Sequence, residues 1–266
     1  MWQDRTRGEP LSQSRRNFII QTSALLFFGS LAASCRGLPR QGVRHTDEPS
    51  EPTLTPPPGA ETAEIKSLID RAQASLEAEN ASTGAVLSDA SYLPAHEWPR
   101  FRALIRRHAQ PSTTVIVTPQ EPGEPLVVNG LVRDRQGAPV SGALVYFYQT
   151  SARGWYSDKA PHISGNSGDQ KHARLFGYVK TNNAGAFEFH TVRPAGYPRS
   201  TLPEHIHVEI SGPESGALVS EIQFADDPRL TAEQRVASAN QGFQICRPTR
   251  DAGGVQHVSA EFRLRS

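Results

Sequence analysis

Residues 126–149 read LVVNGLVRDRQGAPVSGALVYFYQ. Two runs rich in Val, Leu, Phe and Tyr, 126–133 and 143–149, are separated by Asp134-Arg135-Gln136-Gly137, a hairpin-type turn in which glycine accepts positive φ. Runs of that length and composition, bounded by turn residues, are strands. Working outward, similar runs stand at 113–117, 175–180, 186–190, 205–211, 219–224 and 255–264, and Asn182-Asn183-Ala184-Gly185 is a second turn of the same kind. Seven or eight such segments predict a mainly β fold, an antiparallel β-sandwich, over residues 111–266.

Upstream the periodicity changes. Ile65, Leu68, Ile69, Ala72 and Leu76 recur at helical spacing behind Thr62, a potential cap before Glu64. Trp98, Phe101, Leu104 and Ile105 fit a second helical face if Pro99 lies in its first turn. Residues 61–110 therefore form a short N-terminal helical segment, which could pack on the sandwich or make a homodimer contact. Residues 36–60, with Pro56-Pro57-Pro58-Gly59, are polar, proline-rich and aperiodic, as a tether is.

Residues 1–35 look like an address. Arg15-Arg16 precedes an apolar run that ends in Leu31-Ala32-Ala33-Ser34-Cys35, the pattern of a twin-arginine export signal with a lipoprotein cleavage box. Gln21, Thr22, Ser23 and Gly29 interrupt that run too often for a comfortable membrane span. Cleavage before Cys35 would free its thiol for a lipid anchor. Ala32, where such boxes more often carry Leu, leaves simple cleavage open. Either way the expectation is a protein exported from the cytoplasm, periplasmic or held at the cell envelope. A lipidated Cys35 cannot pair with Cys246, which then reads as a small buried hydrophobe.

Bulk composition excludes more than it assigns. In 266 residues the formal charge is +1, without the basic excess that a nucleic-acid surface needs. Two cysteines are too few for a thiolate metal site or a disulfide framework, so any metal must be held by histidine and oxygen. His205-Ile206-His207 lies in a strand, where residues two apart project from one face and their imidazoles can converge on one ion. Two histidines on a solvated face would look the same. Tyr156, in Gly154-Trp155-Tyr156, and Tyr197, in Ala195-Gly196-Tyr197-Pro198, sit in loops. Each could equally be a half-buried tyrosine with its hydroxyl as a polar handle.

Taken together these pieces become specific. Gly130-Leu131-Val132-Arg133-Asp134 with Gly137-Ala138-Pro139-Val140, then Gly142-Ala143-Leu144-Val145 and Gly154-Trp155-Tyr156, follow one known order. So do Thr181 to Phe187, Arg193-Pro194-Ala195-Gly196-Tyr197-Pro198, His205-Ile206-His207, and Gln223-Phe224 with Asp227-Pro228. The stretch resembles the intradiol ring-cleaving dioxygenase family. The resemblance implies Fe(III) held by Tyr156, Tyr197, His205 and His207, with Tyr197 the displaceable axial ligand opposite His207. It implies a catechol-type substrate, O2 as co-substrate and a muconate-type diacid as product. Two tyrosinates and a hydroxide would balance the ferric charge, and zinc rarely takes phenolates.

The resemblance also marks departures. Gln223 falls at a position whose amide would reach the ligand sphere or the substrate oxygen. Many members carry an arginine three residues before the first histidine. Here Leu202 stands there, with Arg199 the neighbouring cation, and Glu204 precedes His205 where a small residue is usual. Arg174 could approach the site from a nearby strand. His162, His172 and His190 read as structural or surface residues. Trp155, Phe176 and Tyr178 suit either an aromatic substrate or a core. The competing function is a non-catalytic carboxypeptidase-regulatory or transthyretin-like binding module at the cell surface, a scaffold with no reason to gather two tyrosines and two histidines.

Overall fold

A computed structural model describes residues 60–78, 81–157, 173–213 and 216–264 of the chain. The readings of residues 1–59, including Cys35 and the tether, and those of His162 and His172 lie outside the described residues. Helix α1 (Ala63–Glu77) starts where Thr62 Oγ1 accepts the Ile65 amide, and it buries Ile65, Ile69, Ala72 and Leu76. Helix α2 (Thr83–Ser88) and a 3-10 turn (Ala90–Ala95) follow, and α3 (Pro99–Arg107) has its proline in the first turn, where no amide is needed. The predicted short segment is thus four helical pieces, two of which are too short to show a period. Its apolar residues join the same buried cluster as those of the strands.

Among the described residues, ten strands form two five-stranded sheets. One has the order β1-β5-β2-β10-β9, from β1 (Thr113–Val115), β5 (Ala186–Val192), β2 (Pro125–Arg133), β10 (Gln256–Arg263) and β9 (Thr249–Arg250). The other has the order β4-β3-β6-β7-β8, from β4 (Leu175–Lys180), β3 (Leu144–Gln149), β6 (His205–Ser211), β7 (Ala217–Phe224) and β8 (Gln244–Cys246). The inner faces meet through Phe189 and Phe262 on one side and Phe147, Val208, Ile222 and Phe224 on the other, all fully buried. Phe147 and Phe189 stack across the interface with ring centroids 3.8 Å apart. Each such side chain contributes about 1.5–3 kcal/mol through removal from water.

Three expectations are corrected here. The sandwich is mixed rather than purely antiparallel, since β1 with β5, β10 with β2 and β8 with β7 pair in parallel. Side-chain alternation has the same period in either direction, so it cannot report strand sense. The turns at Asp134–Gly137 and Asn182–Gly185 do hold glycines at φ +90° and +72°. Yet each hands the chain from one sheet to the other, and what pairs across the first is the isolated antiparallel bridge of Arg133 with Pro139 rather than two neighbouring strands of one sheet. Helix α4 (Ala232–Gln241) was not foreseen, although Thr231 and Gln234 form a capping box and Gly242 ends it in the left-handed conformation.

The outer face of the second sheet positions the site. Tyr146 and Tyr148 on β3, Phe176 and Tyr178 on β4, and His207 and Glu221 on β6 and β7 share this face through the strand register. Over its β4 side, buried Arg102 of α3 lies 3.7 Å above the Phe176 ring. Its guanidinium donates to the Ala173 carbonyl at 2.9 Å and to the Tyr146 hydroxyl at 2.6 Å.

Candidate metal centre

Strand β6 presents His205 and His207 on the same face, as a period of two requires. The tyrosines come from two loops stitched to each other. Thr150 Oγ1 donates to the Ala195 carbonyl at 2.7 Å, and the Ala195 amide donates to the Ser151 carbonyl at 3.1 Å. Gly154, at φ +76°, lies against the Gly196 carbonyl so closely that a Cβ there would come within 2.4 Å of it. Only glycine permits both the dihedral and the approach. The Arg174 amide donates to the Tyr156 carbonyl at 2.6 Å, tying the end of this loop to the start of β4.

The result is a closed ring of four donor atoms. Tyr156 Oη stands 2.6 Å from Tyr197 Oη, and Tyr197 Oη 2.9 Å from His205 Nε2. His205 Nε2 is 3.1 Å from His207 Nε2, which is 2.9 Å from Tyr156 Oη. Ligand atoms about 2.0–2.1 Å from one ion and roughly at right angles lie about 3 Å apart, so these edges suit a single central ion. The tautomers point the same way. His205 Nδ1 donates to the Pro203 carbonyl at 2.7 Å, which leaves Nε2 as a bare lone pair aimed into the ring. His207 turns Nδ1 toward Glu221 Oε1 at 3.7 Å, and Tyr148 stacks on its ring at 4.5 Å. Tyr156, Tyr197 and His205 are buried, while His207 is partly open.

The other sequence candidates are spread more widely. Arg199 is exposed, at φ +58°, in the loop between Tyr197 and β6, and Leu202 is 47% exposed. Gln223 is buried opposite His205, donating to Glu221 at 3.0 Å and accepting from Ser238 at 2.8 Å. Glu204 reaches away to Arg193 at 2.8 Å. Burial pushes its carboxyl above the usual range, against the pull of that guanidinium. Arg174 makes a two-pronged pair with Glu121 at 2.6 and 2.7 Å. His190 pairs with Glu188 at 2.7 Å on β5, in the opposite sheet. Phe176 packs under Arg102, Tyr178 stacks on Tyr146, and Trp155 carries Arg153 over its ring at 4.1 Å.

Glu221 and Tyr148 are what sequence reading missed. In a hairpin closed between Ser211 and Ala217, the partner of His207 is Glu221, so placing that turn would have found it.

A family model described as Dioxygenase matches residues 97–266, well over half of the chain. The chain belongs to the intradiol dioxygenase family. Two relatives illustrate the similarity. Catechol 1,2-dioxygenase 1 of Acinetobacter lwoffii is 30% identical over 130 residues, 43% of this chain and 40% of that protein. The protocatechuate 3,4-dioxygenase beta chain of Burkholderia cepacia is 34% identical over 120 residues, 41% and 48% of the two. The chain spans 40–51% of the length of the first four curated relatives it matches. Among solved structures, the dioxygenase domain of a carbohydrate-binding fusion from Streptomyces sp. SirexAA-E is 28% identical. That similarity covers 58% of this chain and 88% of that one, with a TM-score of 0.44.

Proposed function

We propose that the chain is a non-haem Fe(III) enzyme that opens catechol-type rings with O2, giving muconate-type diacids, and that Tyr156, Tyr197, His205 and His207 hold the iron. One observation carries the ligand set: buried phenol oxygens and imidazole lone pairs converge within 3.1 Å around a common centre. Neutral phenol hydroxyls could each donate to one imidazole, but the two imidazole nitrogens 3.1 Å apart and the two phenol oxygens 2.6 Å apart are served together by one shared cation. Two phenolates suit a hard trivalent ion, whose charge lowers the phenol pKa far enough for tyrosinate to form.

When bound, a ferric ion supplies Lewis acidity and a one-electron redox partner for an aromatic diol. The side chains have separable parts in this chemistry. Pro203 locks the tautomer of His205, and Tyr148 holds the plane of His207. By the family resemblance Tyr197 would be the ligand that gives way to substrate, its Oη then accepting one proton of the arriving diol. Arg199 is the candidate for answering negative charge on the substrate in place of an arginine at position 202, and Gln223 reaches the centre through Glu221. The printed activities of the relatives, on catechol and protocatechuate, set the substrate classes to try.

The test is direct. Purified protein loaded with ferric ion should absorb in the visible through phenolate-to-iron charge transfer, and should consume O2 with catechol, protocatechuate or hydroxyquinol as a diacid accumulates. A protein that stays colourless after loading and consumes no O2 returns the chain to the binding-module reading. Export by the twin-arginine route and a lipid on Cys35 are proposed from residues 1–35 alone. Arg15→Lys with Arg16→Lys should strand the protein in the cytoplasm, and the mass of the envelope form decides between lipidation and simple cleavage.

A further inference from the structure

His205 and His207 are backed differently. The Nδ1 of His205 rests on a neutral carbonyl, that of Pro203, while the Nδ1 of His207 faces a carboxylate. Glu221 lies opposite His207 in the β6–β7 register, and its side chain is 18% exposed. It is held from behind by a buried relay. Ser238, the buried residue of α4, donates to Gln223 Oε1 at 2.8 Å, and Gln223 Nε2 donates to Glu221 Oε2 at 3.0 Å. That leaves Oε1 for His207, 3.7 Å away, an electrostatic contact rather than a formed hydrogen bond. Other partly buried acids have arginines, Glu121 with Arg174 and Glu204 with Arg193. Among the described residues, the ion-pair partner of Glu221 is His207.

We propose that Glu221 is a positioning residue of the metal centre: an outer carboxylate, braced by Gln223 and Ser238, that makes His207 the more electron-rich imidazole and biases the bound iron toward the ferric state. The physical reason is the carboxylate–histidine–metal arrangement. A negative charge beyond Nδ1 strengthens donation from Nε2 and offsets one unit of positive charge on the ion. The higher oxidation state gains more from that offset. The inference rests on iron binding by the four-donor ring. His205, His207 and Glu221 also bring ligand atoms within 4.8 Å of one another, so a direct carboxylate ligand is the arrangement to be distinguished.

The experiment uses the full-length ferric protein and reads iron content, the charge-transfer band and the Fe(III)/Fe(II) midpoint by spectroelectrochemistry. Glu221→Gln keeps the shape and removes the charge. It should retain iron and its band while shifting the Fe(III)-over-Fe(II) preference about tenfold toward ferrous, a rise of about 59 mV. Glu221→Asp should restore part of the shift. Ser238→Ala, which loosens the relay from its far end, should move the midpoint the same way by less, and it serves if Glu221→Gln fails to fold. An unchanged midpoint in folded, iron-replete Glu221→Gln overturns the proposal. A folded Glu221→Gln that loses its iron also overturns it, in favour of a direct ligand. Wild-type protein that takes up no ferric ion overturns the iron reading itself, and this proposal with it.

Discussion

Gly154 lies directly on the carbonyl of Gly196: a Cβ added to it would sit 2.4 Å from that oxygen. Each glycine stands just ahead of a candidate ligand, Tyr156 and Tyr197, whose hydroxyls meet at 2.6 Å. The closeness of the phenols follows from the closeness of the glycines.

Gly154→Ala should therefore injure the metal centre without touching a ligand. Forcing alanine into a left-handed backbone against a carbonyl costs about 1–3 kcal/mol. The loop can relieve this only by retreating from residues 195–198. Thermal melts should show the loss of stability, and iron content per chain should fall with it.

The four ligands should not be equivalent. Tyr156→Phe and His205→Ala remove donors held by the stitched loop and by β6, and both should abolish iron retention. Tyr197→Phe removes the ligand proposed to give way to substrate, so it should retain more iron than either of those variants, with a weakened charge-transfer band and no ring cleavage. Metal analysis beside visible spectra checks the order.

Arg174 and Glu121 are 11% and 5% exposed and bonded at 2.6 and 2.7 Å, and the Arg174 amide also holds the Tyr156 carbonyl. Glu121→Gln removes a two-pronged carboxylate from a buried guanidinium and should destabilise the fold by up to about 3–5 kcal/mol. Urea unfolding should show that loss.

His96 gives the fold an acid-side weakness. Its Nδ1 donates to the Arg174 carbonyl at 3.1 Å, and its Nε2 is buried without a partner. Burial brings its pKa down from 6.5 to about 4. The unfolded chain thus binds a proton between those values that the folded chain refuses. The associated stability is complete above pH 6.5 and is lost as pH falls toward 4, about 3 kcal/mol in all. In His96→Leu the slope of stability against pH between 4 and 6.5 should be shallower by one proton.

Much of this was legible along the chain. The bounds of β4 and β6 are the residues their composition predicted, and α1 begins at its cap, because alternation, helical period and capping are local chemistry. The missed elements have local causes too. Helix α2 is too short for a period, and α4 buries little besides Ser238, so its capping box carried no apolar stripe.

The sequence by itself determined eight of the ten described strands, though not the short β8 and β9, together with the main helices and the identity of the four candidate ligands, since residue type, order and the period of two are properties of neighbours. Only the tertiary structure decided which strands run parallel, that both turns change sheets, and that the acid behind His207 is Glu221. It alone brought the tyrosine loops into contact through Gly154 and Gly196. Those outcomes depend on distances between segments far apart along the chain. Burial of the shared core and backbone hydrogen bonding set them, and no local pattern records the result.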